Sequence, residues 1–170
     1  TGVAIEYGIP QSAKRIDFIV AGQDEARRDQ FVIVELKQWE SARRTHKDGI
    51  VITRFAHGEH EVSHPSYQAW SYASLLRNFN ETVYESALDL RPCAYLHNYV
   101  GDGALTDPCY AEYLERAPVF LRGEDERARL RAFIAQHVRH GDHARVIERV
   151  EGGRIRPSKG LADSLAGLMA

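Results

Sequence analysis

Two short runs in this chain have the composition of buried strands and yet carry charge. Lys14-Arg15-Ile16-Asp17-Phe18-Ile19-Val20 holds an aspartate, and Phe31-Val32-Ile33-Val34-Glu35-Leu36-Lys37 ends in a Glu-x-Lys triplet. Charge on a half-buried strand face costs free energy unless it is paired or holds a metal. The polar segment 22–30 between the runs reads as a hairpin loop centred on Ala26. Symmetric antiparallel pairing about Ala26 sets Asp17 opposite Glu35, and strand alternation puts Lys37 on the same face. Opposed carboxylates repel, by up to about 1 kcal/mol at an exposed pair, and a divalent cation between them reverses the sign. A slip of one residue would part them, so the cluster requires a symmetric loop.

The remaining pattern alternates strands with helices. Val3 to Tyr7, Arg15 to Ala21, Phe31 to Lys37 and Ile50 to Phe55 read as strands, with a turn at 56–59 returning toward Val62. Pro65 to Phe79 reads as a helix on which Gln68 and Tyr72, four apart, share a face. A strand from Pro92 to Tyr99, a short strand at 119–121, an amphipathic helix from Glu124 to His140 and a terminal helical pattern from Ser158 follow. The expected fold class is α/β (α+β), a mixed sheet flanked by helices, with the helix from Pro65 crossing to lay the Pro92 strand alongside. A length of 170 residues, 44% of them hydrophobic, suits one core rather than two. The net charge of −2 excludes a histone-like basic binder, so any nucleic-acid groove must be local. The two cysteines match neither a metal-ligand spacing nor a disulfide framework, which fits a reducing, cytoplasmic setting. No apolar run is long enough to imply a membrane.

Taken in order, Asp17, Glu35-Leu36-Lys37 and the helix segment His64-Pro65-Ser66-Tyr67-Gln68-Ala69-Trp70-Ser71-Tyr72 resemble the PD-(D/E)XK nuclease superfamily, with Ile16 standing where that family often has proline. Arg91 to Tyr99 and Arg156 to Leu165 resemble, more closely, the N-terminal nuclease-type domain of bacterial proteins that carry a Schlafen-like DNA/RNA helicase domain. The resemblance implies a restriction-endonuclease-like sheet and metal-dependent phosphodiester hydrolysis. Asp17, Glu35 and the backbone carbonyl near Leu36 would hold Mg²⁺ or Mn²⁺, hard cations that favour oxygen. Lys37 would orient water or neutralise developing charge, and Gln68 would hold the water or a phosphate oxygen. Glu6 would join if the first hairpin is in register, and Lys14, Arg15 and Tyr72 would contact the nucleic-acid backbone. DNA stands ahead of RNA as substrate. Residues 1–156 would form the nuclease-like domain, with 157–170 a terminal helix leading to a helicase domain in a longer parent chain.

Other readings stand beside this one. Asp17, Glu35 and Lys37 form an ordinary ion pair in the blandest account, worth roughly 0–1 kcal/mol. Gln68 and Tyr72 then merely pack their helix, and the basic stretch 43–47 is a solvated loop. His57, His60 and His64, or His137, His140 and His143, offer imidazole for zinc without an accompanying closed-site spacing. At the level of function, a non-catalytic binding module of the same fold, or a structural domain docking a helicase, competes with the nuclease.

Overall fold

The computed structural model describes residues 1–169. Fifteen elements follow in chain order: β1 (Gly2–Gly8), β2 (Arg15–Gln23), β3 (Asp29–Lys37), β4 (Arg43–Arg44), β5 (Ile50–Phe55), β6 (Gly58–Ser63), α1 (Pro65–Phe79), α2 (Glu81–Glu85), β7 (Asp89–Leu96), a 3₁₀ turn (Pro108–Tyr110), α3 (Ala111–Arg116), β8 (Val119–Phe120), α4 (Glu124–His137), α5 (Arg145–Glu151) and α6 (Lys159–Met169). The main sheet has the order β1-β2-β3-β7-β8, and β4-β5-β6 form a separate three-stranded sheet. The first three strands are antiparallel, while β7 lies parallel to β3 and β8 parallel to β7, which makes the sheet mixed as expected.

The β2–β3 register is symmetric about Ala26, running from Phe18 opposite Val34 to Gln23 opposite Asp29. The loop is shorter than the polar segment suggested, because Asp24 closes it tightly. Its carboxylate accepts the Arg28 N–H at 3.0 Å and the Arg28 Nε–H at 2.9 Å, and Arg27 takes the left-handed conformation the turn needs. Polar residues at 22, 23, 29 and 30 therefore belong to strands, where Gln30 is fully buried between Asp24 and Asp89.

Each face of the main sheet has its own apolar layer. Ile19, Phe31 and Ile33 point to α1 and meet Tyr72, Ala73 and Leu76, with Val146, Ile147 and Val150 of α5 closing that side. Val20, Val32, Val34, Cys93 and Phe120 point the other way, toward Leu130, Phe133 and Ile134 of α4. Full burial of side chains such as Phe31 and Ile33 is worth roughly 1.5–3 kcal/mol each. A third cluster around Trp39, Leu96, Tyr99 and Tyr110 joins the small sheet through Val51.

Helix α1 has a full set of local instructions. His64 caps it by accepting the Ser66 N–H at 3.1 Å, Pro65 fills the first position where no donor is needed, and Ala69, Tyr72, Ala73 and Leu76 recur at helical spacing on the buried face. Asn80 ends it and starts α2, its own N–H donating to the Leu76 carbonyl while its side chain accepts the Val83 N–H.

Beyond the first hairpin, the bounds of β7 and the end of α4 also differ from the sequence reading. Strand β7 begins at Asp89 and ends at Leu96, with Pro92 inside it. Proline is tolerated there because β8 pairs only at Ala94 and Tyr95, leaving one side of Pro92 without a ladder to serve. Helix α4 stops at His137, because Arg139 and His140 turn to bond with Gln23 at the end of β2. Its apolar residues Leu130, Phe133 and Ile134 face the sheet but are only half-buried. Helix α5 follows from the Asp142 carboxylate, which accepts the Val146 N–H at 2.9 Å, and from two consecutive left-handed residues, His143 and Ala144. Along α6 no described residue is buried, and Leu165 and Leu168 are exposed. No described helix is long and apolar enough to cross a membrane.

Candidate metal centre

The β2–β3 ladder opens one step beyond Phe18 and Val34, and the charged residues sit at that opening. At the next position the Asp17 side chain, rather than its backbone, takes the partner: Oδ2 accepts the Leu36 N–H at 2.8 Å. In a strand the N–H and C=O of one residue leave on the same side. The Leu36 carbonyl therefore also faces β2, beyond the last ladder bond.

Glu35 is 2% exposed. Its Oε1 accepts from Lys37 Nζ at 2.7 Å, while Oε2 is buried with no hydrogen-bond partner. Burial pushes the Glu35 carboxyl up, Lys37 pulls it back, and the neighbouring Asp17 carboxylate adds to the rise. Lys37 Nζ also lies 5.8 Å from the centre of the ring of Trp39, which is buried.

Helix α1 brings the other half. Gln68 Nε2 donates to the Tyr72 hydroxyl at 2.6 Å, and Tyr72 is 4% exposed. Burial raises the Tyr72 phenol, Gln68 lowers it, and Glu35 and Asp17 raise it further, because both carboxylates are close enough to oppose a phenolate. Asp17, Glu35, Lys37, Gln68 and Tyr72 thus meet in one place. Lys14 and Arg15 lie exposed at the same edge of the sheet, where β2 begins.

Glu6 does not join them. The β1–β2 ladder pairs Ile5 with Phe18 and Tyr7 with Ile16 and skips the step between, where Glu6 turns to φ 51°. In a regular strand Glu6 would face Asp17 as a third carboxylate; instead its side chain is 72% exposed, 3.6 Å from Arg15. Among the described residues no three His, Cys, Asp or Glu side chains converge as a metal-ligand group. Magnesium does not require one, since it is usually held by one or two carboxylates together with waters and substrate phosphates. The donor set of two carboxylates, one with an orphaned buried oxygen, and the Leu36 carbonyl on the side facing β2 fits such a hard cation.

Imidazole chemistry does not fit. His64 is fully buried, with Nδ1 accepting from Ser66 and Nε2 2.9 Å from the Leu105 carbonyl, so both nitrogens are engaged. His137 packs edge-on against Phe133. The basic stretch 43–47 includes β4 rather than only loop, and its cations are held by acids: Arg43 by Glu59, Arg44 by Asp107 and Lys47 by Glu61. His64, weighed in the sequence as a zinc ligand, instead positions α1 as its cap, directly before the helix-starting proline.

Comparison with family models, curated proteins and solved structures returned no match.

Proposed function

We propose that this chain is a divalent-metal-dependent nuclease domain of the PD-(D/E)XK type, hydrolysing phosphodiester bonds of DNA in preference to RNA. The observation that carries this reading is Glu35: a carboxylate almost wholly removed from water, with one oxygen on Lys37 and the other on nothing, beside a second carboxylate. An unpartnered buried acceptor costs about 1–3 kcal/mol, and what sets Glu35 apart from Glu81, whose Oε2 is also unpartnered although Arg156 holds its other oxygen, is the Asp17 carboxylate beside it. Asp17, Glu35 and the Leu36 carbonyl would hold Mg²⁺ or Mn²⁺, which when bound lowers the pKa of water and offsets charge on the phosphate. Lys37 then neutralises negative charge at the reacting phosphate, and Gln68, oriented by Tyr72, presents an amide to water or a phosphate oxygen. Lys14 and Arg15 supply contacts to the backbone without sequence readout. A helicase domain in a longer parent chain is the partner that the resemblance suggests.

The competing reading is a binding module that has lost catalysis. Lys37 already occupies Glu35 Oε1 and Glu6 is turned away, which favours it. Cleavage of labelled DNA and RNA, single- and double-stranded, with Mg²⁺, Mn²⁺ or EDTA and with a Glu35→Ala control, separates the two. Cleavage requiring both metal and Glu35 establishes the nuclease. Cleavage by a folded Glu35→Ala protein rules out this centre, and nucleic-acid binding with no cleavage by the parent supports the module.

A further inference from the structure

The sheet edge that bears Glu35 and Lys37 also has a working surface on its reverse. Tyr95 lies opposite Leu36 in the parallel β3–β7 register and packs with the residues that face α4, so it points away from the carboxylates. His97 follows just past the end of β7, its ring 6.0 Å from that of Tyr95. These two half-buried rings line a cleft of about 460 Å³ with Arg122, Gly123, Glu124 and Arg127. That size falls within the roughly 300–1,000 Å³ of small-ligand sites. Arg127 is held by Glu124, whereas the Arg122 guanidinium is exposed and has no acidic partner among the described residues. Gly123, at φ 138°, leaves the space above its Cα open.

We propose that this cleft receives one nucleotide of a single strand that passes over the sheet edge, with its base against Tyr95 and His97 and its phosphate on Arg122. The inference rests on the nuclease reading and extends it to single-stranded substrate. Three observations carry it. The cleft and the carboxylate cluster share the edge formed by the carboxyl ends of β3, β7 and β8, where open α/β sheets bind ligands. An aromatic ring can stack only on a base released from its pair, so the Tyr95–His97 surface suits a single strand and offers a duplex little. Arg122 pairs with no acid among the described residues, the Glu124 of the same cleft being held on Arg127, and in a chain of net charge −2 it is a local cation available to a phosphate. Single-stranded DNA and RNA share this chemistry.

The test is binding of labelled oligothymidylate, oligouridylate and a DNA duplex of equal length by fluorescence anisotropy in EDTA, where no metal-dependent cleavage occurs. Single strands should bind more tightly than the duplex, and the tighter of the two single strands identifies the sugar. Arg122→Ala, an exposed change that leaves packing intact, should make the slope of log affinity against log salt shallower by about 0.7. Tyr95→Ala should weaken single-strand binding by about 5- to 100-fold, with Tyr95→Leu as the variant that retains the core volume. The proposal is overturned if the duplex binds as tightly, if Arg122→Ala and Tyr95→Leu both bind like the parent, or if no single strand binds. Its failure is separable from that of the nuclease reading. Metal- and Glu35-dependent cleavage with binding indifferent to Tyr95 and Arg122 overturns the cleft alone; the expected binding pattern without cleavage overturns the nuclease alone.

Discussion

Replacing Glu35 with glutamine should stabilise the protein and, if the proposed nuclease function holds, abolish metal-dependent cleavage. The ionised side chain sits 2% exposed with one oxygen unsatisfied and with Asp17 beside it. An orphaned buried acceptor costs about 1–3 kcal/mol, and charge adds to that. The charge-assisted bond to Lys37, worth about 1.5–3 kcal/mol, offsets part of it. Glutamine keeps an oxygen for Lys37 and turns the orphaned acceptor into a donor that can face Asp17. Burial and the neighbouring Asp17 raise the Glu35 carboxyl, so folding disfavours its charged form relative to the unfolded chain. A net gain of up to about 1.5 kcal/mol follows from these terms, or up to roughly 6 °C in Tm for a chain of this size. The sign with pH is fixed: a raised carboxyl penalises the fold above its folded-state pKa and is relieved as pH falls below it, so the advantage of glutamine should shrink on acidification. Thermal unfolding followed by circular dichroism in EDTA, from pH 8 to pH 4.5, measures this directly. Destabilisation by more than about 1 kcal/mol at pH 8 would refute the argument that the site holds an uncompensated charge.

Lys37→Met, which keeps the stem and removes the charge, should lower cleavage by about 10²-fold or more while Mn²⁺ binding, read by calorimetry, survives. His64 is held neutral by burial, so stability should fall as pH drops below about 6.5. Urea unfolding of a His64→Asn variant, which can still cap α1, should show lower stability at pH 7.5, by about 1–3 kcal/mol, and a weaker dependence on acid. Gly22→Ala would place a Cβ 2.6 Å from the His140 carbonyl oxygen, so it should cost about 1–3 kcal/mol and loosen the bridge between β2 and the end of α4, a change measurable by amide exchange there.

The opening hairpin and its charges were legible because two signals agreed. Strand-type runs fixed the elements, and the near-symmetry of the loop about Ala26 fixed the register that sets Glu35 beside Asp17. Helix α1 was legible for the same reason, with its proline, its cap position and its apolar spacing pointing one way. Where signals conflicted, the reading failed. Pro92 looked like the start of a strand because the short reach of β8, which makes proline harmless there, is a tertiary fact. The last turn of α4 had helical residues but was drawn off by Gln23. The short helix α5 did have a signal, Asp142 ahead of Val146, Ile147 and Val150, but at seven residues it gave too brief a period to register. The Asp17, Glu35 and Lys37 cluster followed from type and spacing, whereas the roles expected of Gln68 and the Leu36 carbonyl came from the family resemblance; the departure of Glu6 depended on one backbone angle that no side-chain pattern encodes.

That angle has a consequence for how the protein behaves in a crowd. Strand β1 is the outer margin of the main sheet and presents Val3 and Ile5 to solvent, 56% and 72% exposed, which makes it a template on which another chain could add a strand. The left-handed turn at Glu6 breaks the straight run of donors and acceptors, and the Glu6–Arg15 pair sets charge on the margin where a newcomer would have to lie flat. The residue that leaves the carboxylate cluster thereby serves as a gatekeeper against sheet-to-sheet growth.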